Sequence, residues 1–371
     1  MVKRVSAQHQ RHILIRAAFG EMVERFGIWI WLVVHEVSKG QNYVSAMSYH
    51  KTVNVLHGLC QPAPSPFERS EWFALLAEAG ISPLIALAGD GDAEAALALI
   101  EANGRIEPLR HWYSFTWRQL APEGPRGDAL LAEIAHQLRS RSHRVTLWPV
   151  PDEDGSASRL EIAFRNAGWS VSRVQCDHNH VLPVNGRSFA EYWASRPGQM
   201  RTTLKRKAKK VDVQIVSQFD AEMWAAYETI YAESWKPTED QPELLRRLAE
   251  AEGEAGRIRL GIANHEGEPV AAQFWTVENG VAYIHKLAHL ESMKQLSAGT
   301  TLTAALFEHV IDTDRVGLVD FGTGNDRYKA DWMEEVRPRF QIDCLDPRQP
   351  AAWLPLAKRN LRRLAQPKAH G

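Results

Sequence analysis

The strongest constraint on the fold is an internal repeat. "LIALAGDGDAEAALALIEANGRIEPL", Leu84 to Leu109, and "LGIANHEGEPVAAQFWTVENGVAYIH", Leu260 to His285, share one layout. In each, an apolar run meets an acidic-Gly-acidic turn (Asp90-Gly91-Asp92; Glu266-Gly267-Glu268). A second apolar run leads to Asn-Gly (Asn103-Gly104; Asn279-Gly280) and a third run comes after it. Gly91 and Gly104 stand 176 positions before Gly267 and Gly280. Asn-Gly between apolar runs marks a tight hairpin, because both turn residues need positive φ. Each copy therefore predicts a three-stranded antiparallel meander.

The elements downstream of the two meanders also match. After the first come a helix with Leu130, Ile134 and Leu138 on one face, the strand "RVTLWPV", and the helix "SASRLEIAFRNAG", opened by Ser156 and closed by Gly168. After the second come a helix with Leu302, Leu306 and Val310 on one face and the strand "VGLVDF". Meander, helix, strand, helix, final strand is a domain duplicated within the chain. The fold class is α/β (mixed α+β), two tandem domains each with a mixed, mostly antiparallel sheet flanked by helices. The helix after the meander joins two parallel strands. Where those strands splay, a cleft opens at a helix N-terminus that favours anions.

The expected boundaries are 47–180 for the first domain and 181–371 for the second. Residues 1–46 share no pattern with the repeat and are expected to be a peripheral extension, upstream of a natural opening at Met47. The chain's 371 residues suffice for two cores. A net charge of −1 argues against a generic nucleic-acid binder. Cys60, Cys176 and Cys344 form no CxxC pair, which excludes a disulfide framework and fits a reducing cytoplasm. The longest apolar segment, Phe26 to Val34, has nine residues against the ~20 that span a bilayer, so no membrane span is expected.

The most unusual stretch is "DFGTGNDRYKADW", Asp320 to Trp332. It fails as a dinucleotide fingerprint, since Arg327 stands where a third small residue is needed. It fails as a kinase metal loop for want of an upstream "HRD" and glycine loop. Together with "YWASRPGQMRTTLKRKAKK" (Tyr192 to Lys210), "ESWK" (Glu233 to Lys236) and "LSAGTTL" (Leu296 to Leu302), it resembles the GNAT N-acetyltransferase fold, doubled as in the Fem aminoacyl transferases. The nearer resemblance is to the CelD-like acetyltransferases linked to cellulose and exopolysaccharide loci. These motifs cover about half of the chain, roughly residues 180–345. The sequence departs from the usual Arg/Gln-x-x-Gly-x-Gly/Ala loop, because Gln295 leads into Ser297-Ala298-Gly299-Thr300.

The resemblance implies an acyltransferase that moves an acyl group from acyl-CoA, with acetyl-CoA foremost, to an amine or hydroxyl on a small molecule, glycan or peptide. It implies that the N–H groups of Gly299, Thr300 and Thr301, with Ser297, bind the pyrophosphate. The alternative there is an ordinary capped helix start. Lys329 is expected to stabilise charge on the donor or leaving group and Tyr328 to protonate a departing thiolate. Asp320 and Asp326 read as turn and cap residues. Trp235 and Lys236 are expected at the acceptor, and His285 is a further candidate base. Arg201 and Lys205 belong to a basic run that suits a CoA 3′-phosphate, a tRNA, an anionic glycan or simply water. His178, His180, His285 and His289 lack a third ligand at supportive spacing, so no metal is expected.

The first copy has "RVTLWPVPDEDG" in place of the second copy's motif and is expected to be degenerate, with Pro149 and Pro151 disturbing its cleft strand. Two rival readings remain: a Fem-like transferase using aminoacyl-tRNA, and a non-enzymatic binding module of a polysaccharide-synthesis assembly.

Overall fold

The computed structural model describes residues 46–59 and 62–365. The expectation for residues 1–46 lies outside them, except for Ala46, which opens the first strand. The first half runs β1 (Ala46–His50), α1 (Ser70–Glu78), β2 (Leu84–Gly89), β3 (Glu94–Ala102), β4 (Arg105–Pro108), α2 (Pro125–Leu138), β5 (Arg144–Val150), α3 (Ser156–Asn166) and β6 (Ser170–Pro183). The second opens with α4 (Phe189–Ala194), α5 (Gly198–Lys207), β7 (Asp212–Val216), α6 (Ala221–Ala232) and α7 (Pro242–Glu254). It continues with β8 (Ile258–His265), β9 (Glu268–Glu278), β10 (Val281–His289), α8 (Ala298–Glu308), β11 (Leu318–Thr323), α9 (Lys329–Trp332), β12 (Glu335–Leu345) and α10 (Pro350–Ala365).

Both meanders form as the turns require. Asn103 and Gly104 have φ of 53° and 73°, and Asn279 and Gly280 have 49° and 74°. These are the paired positive values of a tight hairpin turn. β2 pairs β3 and β3 pairs β4, while β8 pairs β9 and β9 pairs β10, all antiparallel.

The halves do not keep separate sheets. A single 12-stranded sheet runs β1-β2-β3-β4-β5-β12-β6-β11-β10-β9-β8-β7. The last strand of each half has crossed over: β12 pairs β5, and β6 pairs β11. β6 and β12 also pair with each other over Glu335–Leu345, the longest ladder in the centre. The only parallel contacts in the described sheet are β4 with β5, at Ile106 and Val145, and β10 with β11. They occupy matching places in the two halves.

Strand alternation divides the core. Leu84, Ala86 and Ala88 of β2 pack beneath α2 and α3, whereas Ile85 faces the opposite side. That opposite side is common to both halves. Trp72 and Phe73 of α1 share one cluster with Trp224 and Tyr227 of α6, Leu244 and Leu248 of α7, and Phe274 of β9. α8 packs the other face of the second half through Leu302, Leu306 and Phe307.

Two local expectations change. β5 forms, because Pro149 falls in a gap of the β5–β12 ladder, between the paired residues Leu147 and Val150, where no N–H is required, and Pro151 lies beyond the strand's end. Ser156 is the first helical residue of α3 rather than its cap, which is Gly155. The free N–H groups of Ser156 and Ser158 are met instead by the carboxylates of Asp154 and Asp152.

Candidate functional site

The cleft arises where β10 leaves β11. The parallel ladder holds only from Val281–Leu318 to Tyr283–Asp320, and a bulge between Ile284 and Lys286 then turns β10 away. Beyond the last pair lie two cavities of about 570 and 450 Å³. Leu287, Phe321 and Tyr328 line both, so the two spaces share a wall across the splay.

The larger cavity contains the start of α8. Ser297 is held in the left-handed region at φ 54°, and no side chain caps the helix. The Thr301 N–H already donates to the Ser297 carbonyl at 3.1 Å. The N–H groups before it, on Ala298, Gly299 and Thr300, have no partner within the helix and open on the cavity wall. Thr301 is therefore displaced from its expected role: it is buried, and both its N–H and its hydroxyl donate to Ser297. Gln273, which no motif marked, steadies the turn from below by donating to the Gly299 carbonyl at 3.3 Å and to Thr303 Oγ1 at 2.6 Å.

The basic run contributes through a different residue from those expected. Arg201 and Lys205 are exposed on α5, and neither lines the cavities. Arg201 donates to the Arg196 carbonyl. Lys207 instead reaches the α8 start, donating to the Gln295 carbonyl at 2.7 Å and to Ser297 Oγ at 3.1 Å. This places a cation beside the free N–H groups, where it adds to the helix dipole.

Trp235 packs against His289 with ring centroids 4.2 Å apart and planes tilted by 43° at the cavity mouth. Lys236 lies 5.1 Å from the Trp235 ring and 6.0 Å from the Tyr328 ring, and burial lowers its pKa. Tyr328 is half-buried against Phe321, and burial raises its phenol pKa, so it holds its proton at neutral pH.

Lys329 and His285 are built in more firmly than their sequence readings implied. Lys329 is buried, and its ammonium donates to the carbonyls of Phe321, Gly322 and Thr323 at 3.1, 3.4 and 2.5 Å. Its charge organises the turn after β11, which Gly322 and Gly324 allow with φ of 69° and 111°. Asp320 braces the other side, accepting from Asn179 Nδ2 at 3.0 Å and from the Gly322 N–H at 2.7 Å. α9 is a single turn of four residues, too short to act through a dipole. His285 lies stacked on Phe274 with Nε2 2.8 Å from Thr276 Oγ1. Burial pushes its pKa down to about 3, which leaves it too weak a base to take a proton near neutrality.

Among the described residues, no three His, Cys, Asp or Glu side chains are grouped to hold a metal, and no helix is long and apolar enough to cross a membrane.

Residues 198–330 match the acetyltransferase (GNAT) domain family. That stretch contains α5, both strands of the splay, and α8. A search of curated proteins found no match. Among solved structures, FemX is similar with a TM-score of 0.57 at 11% identity, covering 84% of this chain and 99% of that one. L-PGS from Bacillus licheniformis is similar with a TM-score of 0.53 at 11% identity, covering 83% and 96%. At this identity the likeness is one of fold, and it spans both halves.

Proposed function

We propose that the second half carries an acyltransferase site that moves an acyl group from acyl-CoA, with acetyl-CoA as the donor, to an amine or hydroxyl acceptor. The observation that carries this reading is the uncapped start of α8, with the free N–H groups of Ala298, Gly299 and Thr300 opening where β10 parts from β11. Three free N–H groups, a helix dipole, the Ser297 hydroxyl and the Lys207 ammonium suit a pyrophosphate. A donor held there presents its acyl group to the splay, beside Phe321 and Tyr328. The acceptor then meets it from the smaller cavity, whose wall includes Trp112, Tyr113 and Phe115 of the first half. The protein's part is to position both substrates and to surround the reacting carbonyl with fixed charge. Tyr328 is placed to protonate the leaving group. An acceptor of polysaccharide or cell-envelope synthesis fits the sequence motifs.

Gly299→Asp tests the donor site. Its side chain would start 3.3 Å from His289 Nδ1 and set a carboxylate among the free N–H groups. The expected outcome is at least a tenfold loss of CoA affinity by calorimetric titration, about 1.4 kcal/mol. Unchanged affinity would remove the donor from this cavity.

The likeness to FemX over both halves, with the exposed basic face of α5, favours a second reading, an aminoacyl-tRNA donor. A ligand that binds the folded chain raises its melting temperature. Stabilisation by CoA and not by bulk tRNA supports the first reading, and the reverse supports the second.

A further inference from the structure

The acceptor-side cavity contains a buried amine that donor binding does not use. Lys286 stands on the β10 bulge, three residues past Tyr283, the last residue paired with β11. Its side chain is 8% exposed, and its Nζ donates to Glu239 Oε1 at 2.7 Å. The rings of Trp112, Tyr113 and Tyr231 surround that Nζ at 3.8, 4.3 and 5.4 Å from their centroids. The other carboxylate oxygen of Glu239 accepts from the Tyr113 hydroxyl at 2.5 Å. Three segments, one from the first half and two from the second, thus converge on this one nitrogen.

Acyl transfer needs a group on this side that can accept the nucleophile's proton. Six side chains that can accept a proton line the cavity: the exposed carboxylates of Asp240 and Asp326, and Lys236, His285, Lys286 and Lys329. His285, with its pKa pushed down to about 3, is too weak a base. Lys329 has all three ammonium protons committed to carbonyls, so deprotonation would break a bond that holds the turn. Lys236 sits between Trp235 and Tyr328 on the donor's border, with no hydrogen-bonded carboxylate to orient it. Lys286 is both oriented and enclosed.

We propose that Lys286, oriented by Glu239, is the proton acceptor for the attacking nucleophile. The proposal rests on the acyl-CoA reading of the site. The neutral amine of Lys286 takes the proton as the nucleophile's nitrogen or oxygen bonds to the acyl carbon. The acyl–sulfur bond breaks, and its electron pair leaves with sulfur. The thiolate takes its proton from the Tyr328 hydroxyl, Tyr328 regains one from water as Lys286 gives its own to water, and the protein ends as it began.

The electrostatics suit this role. Burial drives the Lys286 pKa down to about 8, against the upward pull of Glu239, and Lys236 lowers it further. The ring faces favour the charged form and so oppose burial. Other ionisable groups facing it are Asp240 on the same loop as Glu239, His111 and Tyr113 from the first half, Tyr231 of α6, and His285 on its own strand. A base with a pKa close to working pH is the efficient kind.

The test pairs a direct titration with a rate. Competitive labelling with acetic anhydride across pH, read lysine by lysine by mass spectrometry, reports the midpoint of Lys286 in the full chain. A midpoint near 8 is expected. Glu239→Gln removes the anion that favours the ammonium, so the midpoint should fall. In parallel, thiol release from acetyl-CoA is followed with water as the nucleophile, which does not itself titrate in this range. Its rate should fall about tenfold per pH unit below the Lys286 midpoint, and Glu239→Gln should carry that acid limb downward.

Lys286→Met should cost about 10²–10⁴-fold. Lys286→Arg keeps the charge on Glu239 but cannot deprotonate, so it should fold and lose the rate as well. A Lys286 midpoint above about 10, close to an unperturbed lysine, would overturn the proposal. A folded Lys286→Arg with wild-type rate would do the same, as would an acid limb that stays put when the labelling midpoint moves. A wild type that releases no thiol at any pH overturns the donor reading instead, and the role of Lys286 falls with it.

Discussion

Lys329→Ala is expected to slow acyl transfer by about 10²–10³-fold, the cost of removing one fixed charge from a reacting centre. It should also destabilise the chain, by about 1–3 kcal/mol, because buried carbonyls left without a donor are costly. The two losses have one origin. The ammonium ties Phe321, Gly322 and Thr323 into the turn after β11, and Phe321 and Tyr328 on that turn line both cavities. Steady-state rates and urea denaturation of the same preparation measure both. Near wild-type turnover would show that neither the charge nor the turn matters to the chemistry.

Arg69→Ala is the second large effect, and it acts on stability. Arg69 precedes α1 in the first half and pairs with Glu252 of α7, its side chain only 8% exposed and that of Glu252 only 2%. It also lies 3.5 Å from Glu278 of β9. Arg257 shares Glu252 at 2.8 Å. Removing one member of a buried pair costs about 3–5 kcal/mol, since the other charge is left in a poor solvent. Because Arg257 still covers Glu252, about 3 kcal/mol is expected here. The denaturation midpoint should fall accordingly, and a change under about 1 kcal/mol would show that the cluster does not clasp the halves.

The fit between sequence and structure is closest where the physics is local. Asn103-Gly104 and Asn279-Gly280 take the positive φ values their chemistry suits, so the meanders and their order were legible. The helical spacing of Leu302 and Leu306 placed α8 and its N-terminus beside the second meander. The parallel pair and the splay follow from that order. Gly299 and Ser297 line the cleft, but Thr301 does not, because one hydrogen bond within the first turn commits its N–H.

The remainder of the site joins residues that are far apart in the chain. Lys286, Glu239, Trp112 and Tyr231 carry no shared motif; folding of the second half joins the Lys286 amine to Glu239 and Tyr231, and packing of the first half adds Trp112. Arg201 and Lys205 were indistinguishable from Lys207 by charge, yet only Lys207 has the position on α5 to reach Ser297.

Local residue chemistry was enough for the duplicated order of elements, the hairpin turns and the helix start that opens on the cleft. Each of these depends on φ preferences and apolar spacing within a few residues. The tertiary structure alone decided that β6 and β12 exchange halves to make one sheet, that Lys329 ties down a turn, and that Lys286 sits among three aromatic rings. Those outcomes depend on which distant surfaces exclude water together. Buried charges are tolerated only where such packing also brings their partners, and no local pattern encodes that.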